Sequence, residues 1–193
     1  PSAVTTAIDA GSAGWATYET SRGFIGAKKV GVVAAGSTSL VMEMAGVRMP
    51  LESFPLDCFI GPCRVLNVPY PVISEKALQE LNVQPGERIL LRTDPNGKYN
   101  KHARFNPAVL SMRAAQYLAQ LPVKLVGIDA PTVENMELCD GEVHTALLSA
   151  GIPLLEGLRL EDADKENYYL SALPIRLTGE NGAPCRAVLV EAE

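Results

Sequence analysis

Histidine is scarce in this chain. Of 193 residues only His102 and His144 are histidines, and none precedes His102. A site built from clustered imidazoles has very few positions to draw on. The four cysteines, Cys58, Cys63, Cys139 and Cys185, contain no C-x-x-C pair. That excludes a zinc ribbon and a disulfide scaffold, and they read as reduced, buried thiols. No apolar run approaches a membrane span, and there is no N-x-S/T acceptor or signal-peptide pattern. The expectation is a cytoplasmic protein with no membrane partner. Cations are in deficit, 17 Lys and Arg against 22 Asp and Glu, for a net charge of −5. Nucleic acid is thereby excluded as a main partner. The one basic cluster, Lys98, Tyr99, Lys101, His102 and Arg104, follows the turn signal Pro95-Asn96-Gly97 and reads as a solvated loop. An acidic run, Glu161, Asp162, Asp164 and Glu166, lacks the glycine and terminal Glu of a calcium loop and reads as a solvated turn.

What is present is an ordinary core-forming composition, 47% hydrophobic and 20% charged. We expect one domain over residues 1–193, with a weakly patterned segment over 1–29. Apolar and small residues from Val30 to Met44 suit one long strand or two. Further strands are expected over Cys63–Val68, Arg88–Arg92, Lys124–Ile128 and Pro153–Leu158. Ser74 is suited to cap a helix over Lys76–Leu81. Asn106-Pro107 predicts a helix start, followed by helical spacing over Ala108–Leu121. Asp140–Ala150 reads as a third helix stopped by Gly151. A hairpin pairs Tyr168–Leu177 with Cys185–Val190 around Glu180-Asn181-Gly182. Strands interspersed with three helices predict an α/β class, a single mixed domain rather than a regular alternation.

Two residues stand out chemically. Glu156 lies in the otherwise apolar Pro153-Leu154-Leu155-Glu156, where a lone carboxylate is costly to bury without a partner. His144 lies on the third expected helix, upstream of it. The alternative for each is structural: a carboxylate that reaches solvent or pairs internally, and a satisfied helical histidine.

Three stretches carry a family resemblance: Phe54 through Leu66 (Phe-Pro-Leu-Asp-Cys-Phe-Ile-Gly-Pro-Cys-Arg-Val-Leu), Val126-Gly127-Ile128-Asp129-Ala130-Pro131, and Leu170-Ser171-Ala172-Leu173-Pro174 running on to Arg186-Ala187-Val188-Leu189. Together they resemble the cyclase family of metal-dependent hydrolases, whose best-known members are bacterial kynurenine formamidases. The resemblance implies a swivelling β/β/α-type fold with a curved, barrel-like sheet flanked by helices, a small cyclic or acyl carbonyl substrate such as an N-formyl compound or a lactam, and a homodimer or larger assembly. It also implies a metal held by a His/His/Asp set from an upstream His-x-Gly-Thr-His-x-Asp-x-Pro-x-His motif together with His144 and Glu156.

The upstream motif is missing. Anchored on Gly36, the family's ligand positions fall on Ala34, Thr38, Leu40 and Met44; moved back by one residue they fall on Val33, Ser37, Ser39 and Glu43. We therefore expect no metal and no other cofactor. The candidate catalytic residues are His144 as general acid/base, Glu156, and Ser37 from Gly36-Ser37-Thr38-Ser39, which with His144 and Glu156 would supply a hydroxyl, an imidazole and a carboxylate. The expected function is metal-independent hydrolysis, cyclisation or dehydration of a small carbonyl compound. The alternatives are a non-catalytic binding protein on the same fold and a family-type formamidase.

Overall fold

A computed structural model describes residues 31–34, 50–96, 107–135, 141–180 and 182–191. Ser37, Cys139, Asn181 and the basic cluster from Lys98 to Arg104 lie outside the described residues.

The strands are β1 (Gly31–Ala34), β2 (Ile60–Asn67), β3 (Val72–Ile73), β4 (Arg88–Arg92), β5 (Val109–Leu110), β6 (Leu125–Ile128), β7 (Leu154–Leu155), β8 (Asn167–Ser171) and β9 (Arg186–Glu191). The helices are α1 (Glu75–Glu80), α2 (Met112–Gln120) and α3 (Glu142–Ser149). Seven strands form one curled sheet in the order β1-β9-β8-β2-β4-β6-β7, and β3 pairs with β5 apart from it. Half of the sheet, β2-β4-β6-β7, is parallel; β2-β8, β8-β9 and β9-β1 are antiparallel. This is the expected mixed α/β domain.

Side-chain alternation divides the core into two layers. Leu66, Ile89, Leu91, Val126 and Ile128 pack against the helices through Leu78, Ala114, Ala115, Leu118 and Leu147. On the other face Cys63, Val65, Leu90, Leu125, Leu155, Leu170 and Leu189 form a second cluster. A parallel strand covered on both faces needs an unbroken apolar run, which is why Ile89-Leu90-Leu91 and Leu125-Val126 show no polar alternation. Gly127, in β6, has no room for a side chain: a Cβ there would lie 2.4 Å from Leu90 Cδ2 and 2.7 Å from Leu158 Cδ1.

Several local expectations hold. β4 spans Arg88–Arg92 as read, the Ser74 hydroxyl caps α1 by accepting from Ala77 N–H, and Gly151 takes the positive φ (77°) of a helix stop. Others need correction. α2 does not begin at Asn106-Pro107. Val109–Leu110 is instead a strand that pairs with β3, and the helix starts after Ser111, whose side chain accepts from Ala114 N–H. A hydroxyl cap beside a ladder partner outweighs the preference of Pro107 for a first helical turn. Pro153–Leu158 contributes strand only at Leu154–Leu155. The final hairpin is regular over Asn167–Ser171 and Arg186–Glu191 and reduces to a single bridge, Pro174 with Cys185, towards its tip. The acidic run is a turn, but not simply a solvated one. Glu166 pairs with Arg64 (2.6 Å), Glu161 with Arg159, and Asp164 accepts from the Tyr168 hydroxyl (3.2 Å). Cys58, Cys63 and Cys185 are free thiols, and burial pushes both Cys63 and Cys185 up to about 12, so they are inert at neutral pH.

Candidate active site

In an open parallel sheet the carboxyl ends of the strands form the edge where ligands bind. Four charged or polar residues leave that edge here: Thr93 and Asp94 after β4, Asp129 after β6, and Glu156 after β7. All four are buried.

Asp129 ties the exits of β4 and β6 together. Its carboxylate accepts from Thr93 N–H (2.8 and 3.0 Å), from the Thr93 hydroxyl (2.5 Å) and from Asp94 N–H (2.8 Å). Burial lifts its carboxyl to about 6, against the opposing pull of these donors. At neutral pH it is an ionised acceptor that fixes the path of the chain at the sheet edge.

Glu156 and His144 meet, as the family resemblance implied. α3 turns Val143, His144, Leu147 and Leu148 inward, so the imidazole shares the helix's apolar stripe. The exit of β7 is held by Gly157 N–H on Ala130 O (2.9 Å) and Leu158 N–H on Ile128 O (3.0 Å). This aims Glu156 at the segment after β6, where its Oε1 accepts from Val133 N–H (2.8 Å) and lies 3.2 Å from His144 Nε2.

The third member escaped the sequence reading. Glu134 Oε1 bonds His144 Nδ1 in a very short contact and also accepts from His144 N–H (3.1 Å), while its Oε2 accepts from Val143 N–H (3.3 Å). Glu134, His144 and Glu156 are 1%, 0% and 3% exposed. The only advance signal for Glu134 was indirect: Gly141, at the N-cap of α3, has no side chain with which to cap it.

With a carboxylate on each nitrogen, His144 is a doubly donating imidazolium. Burial would push it down from its ordinary 6.5, but the hydrogen bonds and charges of Glu134 and Glu156 prevail and raise it to about 9. Burial likewise pushes the Glu134 carboxyl up, and its bonds to the His144 ring and backbone outweigh this and hold it below the usual carboxylate range. The result is a fully enclosed acid–imidazolium–acid array, able to hold and pass a proton along a fixed line.

The donor chemistry can be tested against a metal of the kind the sequence resemblance implies. Among the described residues His144 Nε2 and Glu156 Oε1 converge, while both Glu134 oxygens are taken by α3. No group of three His, Cys, Asp or Glu among the described residues is arranged to hold a metal ion. The sequence has two histidines, so one copy of the chain cannot assemble a three-histidine ligand set. Two convergent donors fall short of the three or four that a protein zinc site takes. Among the described residues the donors present do not fit such a centre.

A carboxylate–imidazole array at the carboxyl edge of a curled mixed sheet defines an α/β domain with two buried acids and a histidine held together at its sheet edge. Comparison with known proteins narrows this. The family model Cyclase ("Putative cyclase") matches residues 6–135, about two thirds of the chain, ending just beyond Glu134. The chain belongs to the Cyclase family. A kynurenine formamidase of Salinibacter ruber is 36% identical over 145 residues, 73% of this chain and 68% of that protein. One from Bacillus cereus is 34% identical over 135 residues, 69% of this chain; the alignment spans 64% of that relative's length. The solved structure of a potential metal-dependent hydrolase with cyclase activity superposes with TM-score 0.70 at 29% identity, over 86% of this chain and 79% of that one. An isatin hydrolase bound to the product analogue thioisatinate shares the fold, with TM-score 0.67 at 15% identity over 84% of this chain and 71% of that one.

Proposed function

We propose that this chain is an enzyme that hydrolyses or cyclises a small cyclic or acyl carbonyl compound without a metal, by proton transfer across the His144–Glu156 contact. The observation that carries the reading is the buried array itself. Enclosing two carboxylates and an imidazolium is costly for a protein that uses them only as packing. The relatives named kynurenine formamidase, and the neighbour named metal-dependent hydrolase, support a small carbonyl substrate.

In hydrolysis, water adds to the carbonyl carbon. Glu156, the most exposed of the three at 3%, takes the proton of that water. Glu156 then gives a proton to the nitrogen or oxygen that leaves. His144, charged at neutral pH and bonded through Nε2 to Glu156, supplies or holds the proton that Glu156 exchanges, so the array ends as it began. Ser37 enters this proposal only as a candidate nucleophile in a Ser37–His144–Glu156 arrangement. Cytoplasmic location and assembly into a homodimer or larger oligomer belong to the same proposal. Tyr169 and Val190, exposed and directly opposed across β8 and β9, support the latter. Among the described residues no helix is long and apolar enough to cross a membrane.

The test is a panel of N-formyl amines, lactams and lactones, run with the wild type and with His144→Ala and Glu156→Gln, folding being checked by circular dichroism. We expect wild-type turnover that falls by about 10²–10⁴-fold in either variant. Turnover that survives both substitutions would remove His144 and Glu156 from the chemistry. No wild-type turnover on any class, with the same compounds binding, would favour a non-catalytic binding protein.

A further inference from the structure

We propose that Glu134 is a positioning residue that performs two tasks with one carboxylate: it caps α3 from a distance, and it sets the direction in which the His144 imidazole points.

The need for a remote cap follows from the local sequence. The first N–H groups of a helix have no partner within it and are usually met by a Ser, Thr, Asp or Asn side chain at the N-cap. Here the N-cap is Gly141, with φ of 80° and no side-chain cap bond. The free N–H groups of Val143 and His144 are met instead by Glu134, nine residues before Val143, through Oε2 (3.3 Å) and Oε1 (3.1 Å). A negative group at this end of a helix also lies favourably in its dipole. The same Oε1 bonds Nδ1 of His144. The imidazole is therefore held at its own backbone N–H and at its ring by one oxygen, so its rotation about χ1 and χ2 is not free. With Nδ1 fixed, Nε2 has one direction left, towards Glu156 Oε1 at 3.2 Å.

Glu134 is in turn located by the segment that carries it. Val133 immediately before it donates its N–H to Glu156 and its carbonyl accepts from Leu110 N–H (2.7 Å). The exits of β6 and β7 and the start of α3 thus converge on residues 133–134. Forming the helix and aligning the histidine become one event.

The significance for turnover rests on the proposed role of His144, so the experiment has a readout that does not depend on turnover. The full chain is labelled uniformly with ¹⁵N in a His102→Ala background, which leaves His144 as its single imidazole. We expect a downfield, slowly exchanging Nδ1 proton signal in this parent. In Glu134→Ala that signal is lost and the Val143 and His144 amides exchange faster, while the spectrum stays dispersed. A persistent, sharp Nδ1 signal in a folded Glu134→Ala protein would overturn the proposal. Should Glu134→Ala fail to fold, Glu134→Gln decides. Its neutral oxygen keeps the shape but weakens the bond, so the signal must move upfield; an unmoved signal overturns the proposal. With a turned-over substrate in hand, Glu134→Ala should lower kcat on the order of 100-fold with KM retained. Loss of the ring signal without loss of turnover would leave the positioning intact and refute the role of His144 instead.

Discussion

The buried array makes stability depend on pH in a direction opposite to simple acid denaturation. His144 is raised from 6.5 to about 9 in the folded protein. A group whose folded value lies above its unfolded one contributes stability that is complete below the unfolded value and is lost as pH rises through the folded one. Between about pH 6.5 and 9 the folded chain keeps a proton that the unfolded chain releases, so unfolding becomes easier with each step upward. At about 1.4 kcal/mol per tenfold change, the full interval corresponds to roughly 3 kcal/mol. Urea denaturation at a series of pH values reads this directly. For a slope of about 2–3 kcal/mol per molar, the midpoint should fall by about 1–1.5 M across the window. Cys63 and Cys185, both raised to about 12, act in the same direction near the upper end, and Asp129, at about 6, acts below it. The comparison protein is therefore the double variant Glu134→Gln, Glu156→Gln, which keeps every cysteine and Asp129 but removes the charges that hold the imidazolium. Its midpoint should be nearly flat where that of the wild type falls. A wild-type midpoint that is flat, or that rises, between pH 6.5 and 9 would refute the charged-histidine account.

Two further outcomes follow from the sheet edge. Asp129→Asn replaces one accepting oxygen with a donor that faces N–H groups of Thr93 and Asp94, so urea or thermal unfolding should show a loss of about 1–3 kcal/mol; an unchanged midpoint would mean that Asp129 does not tie β4 to β6. Gly127→Ala puts a methyl within 2.4 Å of Leu90 and 2.7 Å of Leu158, both buried in the core. A cost of about 1–3 kcal/mol is expected, lowering Tm by about 2–4 °C for each kcal/mol, and a neutral result would mean that the two leucines repack without strain.

The sequence disclosed the parts of this molecule whose chemistry is local. Arg88–Arg92 was legible because a buried parallel strand has to be a short unbroken apolar run, and Glu156 was conspicuous because a carboxylate directly after such a run must find a partner. His144 was legible as a helical residue, and its pairing with Glu156 only through the family resemblance; that it faces inward is visible only in the fold. The start of α2 was not, because Asn106-Pro107 carries a strong local signal while the strand at Val109–Leu110 exists only by pairing with Val72–Ile73, 37 residues earlier. Glu134 was the least visible: it lies in a loop without periodicity, and its purpose appears only when α3 folds back on it. Asp129 was noticed as part of a motif, but its task of receiving the Thr93 and Asp94 donors depends on adjacency between β4 and β6 that spacing alone does not reveal.

We propose that this Cyclase-family chain works from its own acid–imidazolium–acid array rather than through a bound metal. The most direct measurement is the metal content of the purified protein by mass spectrometry, paired with turnover of the formamide and lactone panel in the presence and absence of a chelator. We expect metal far below one ion per chain and turnover that the chelator leaves unchanged. One ion per chain, with turnover abolished by the chelator and restored by the metal, would contradict it.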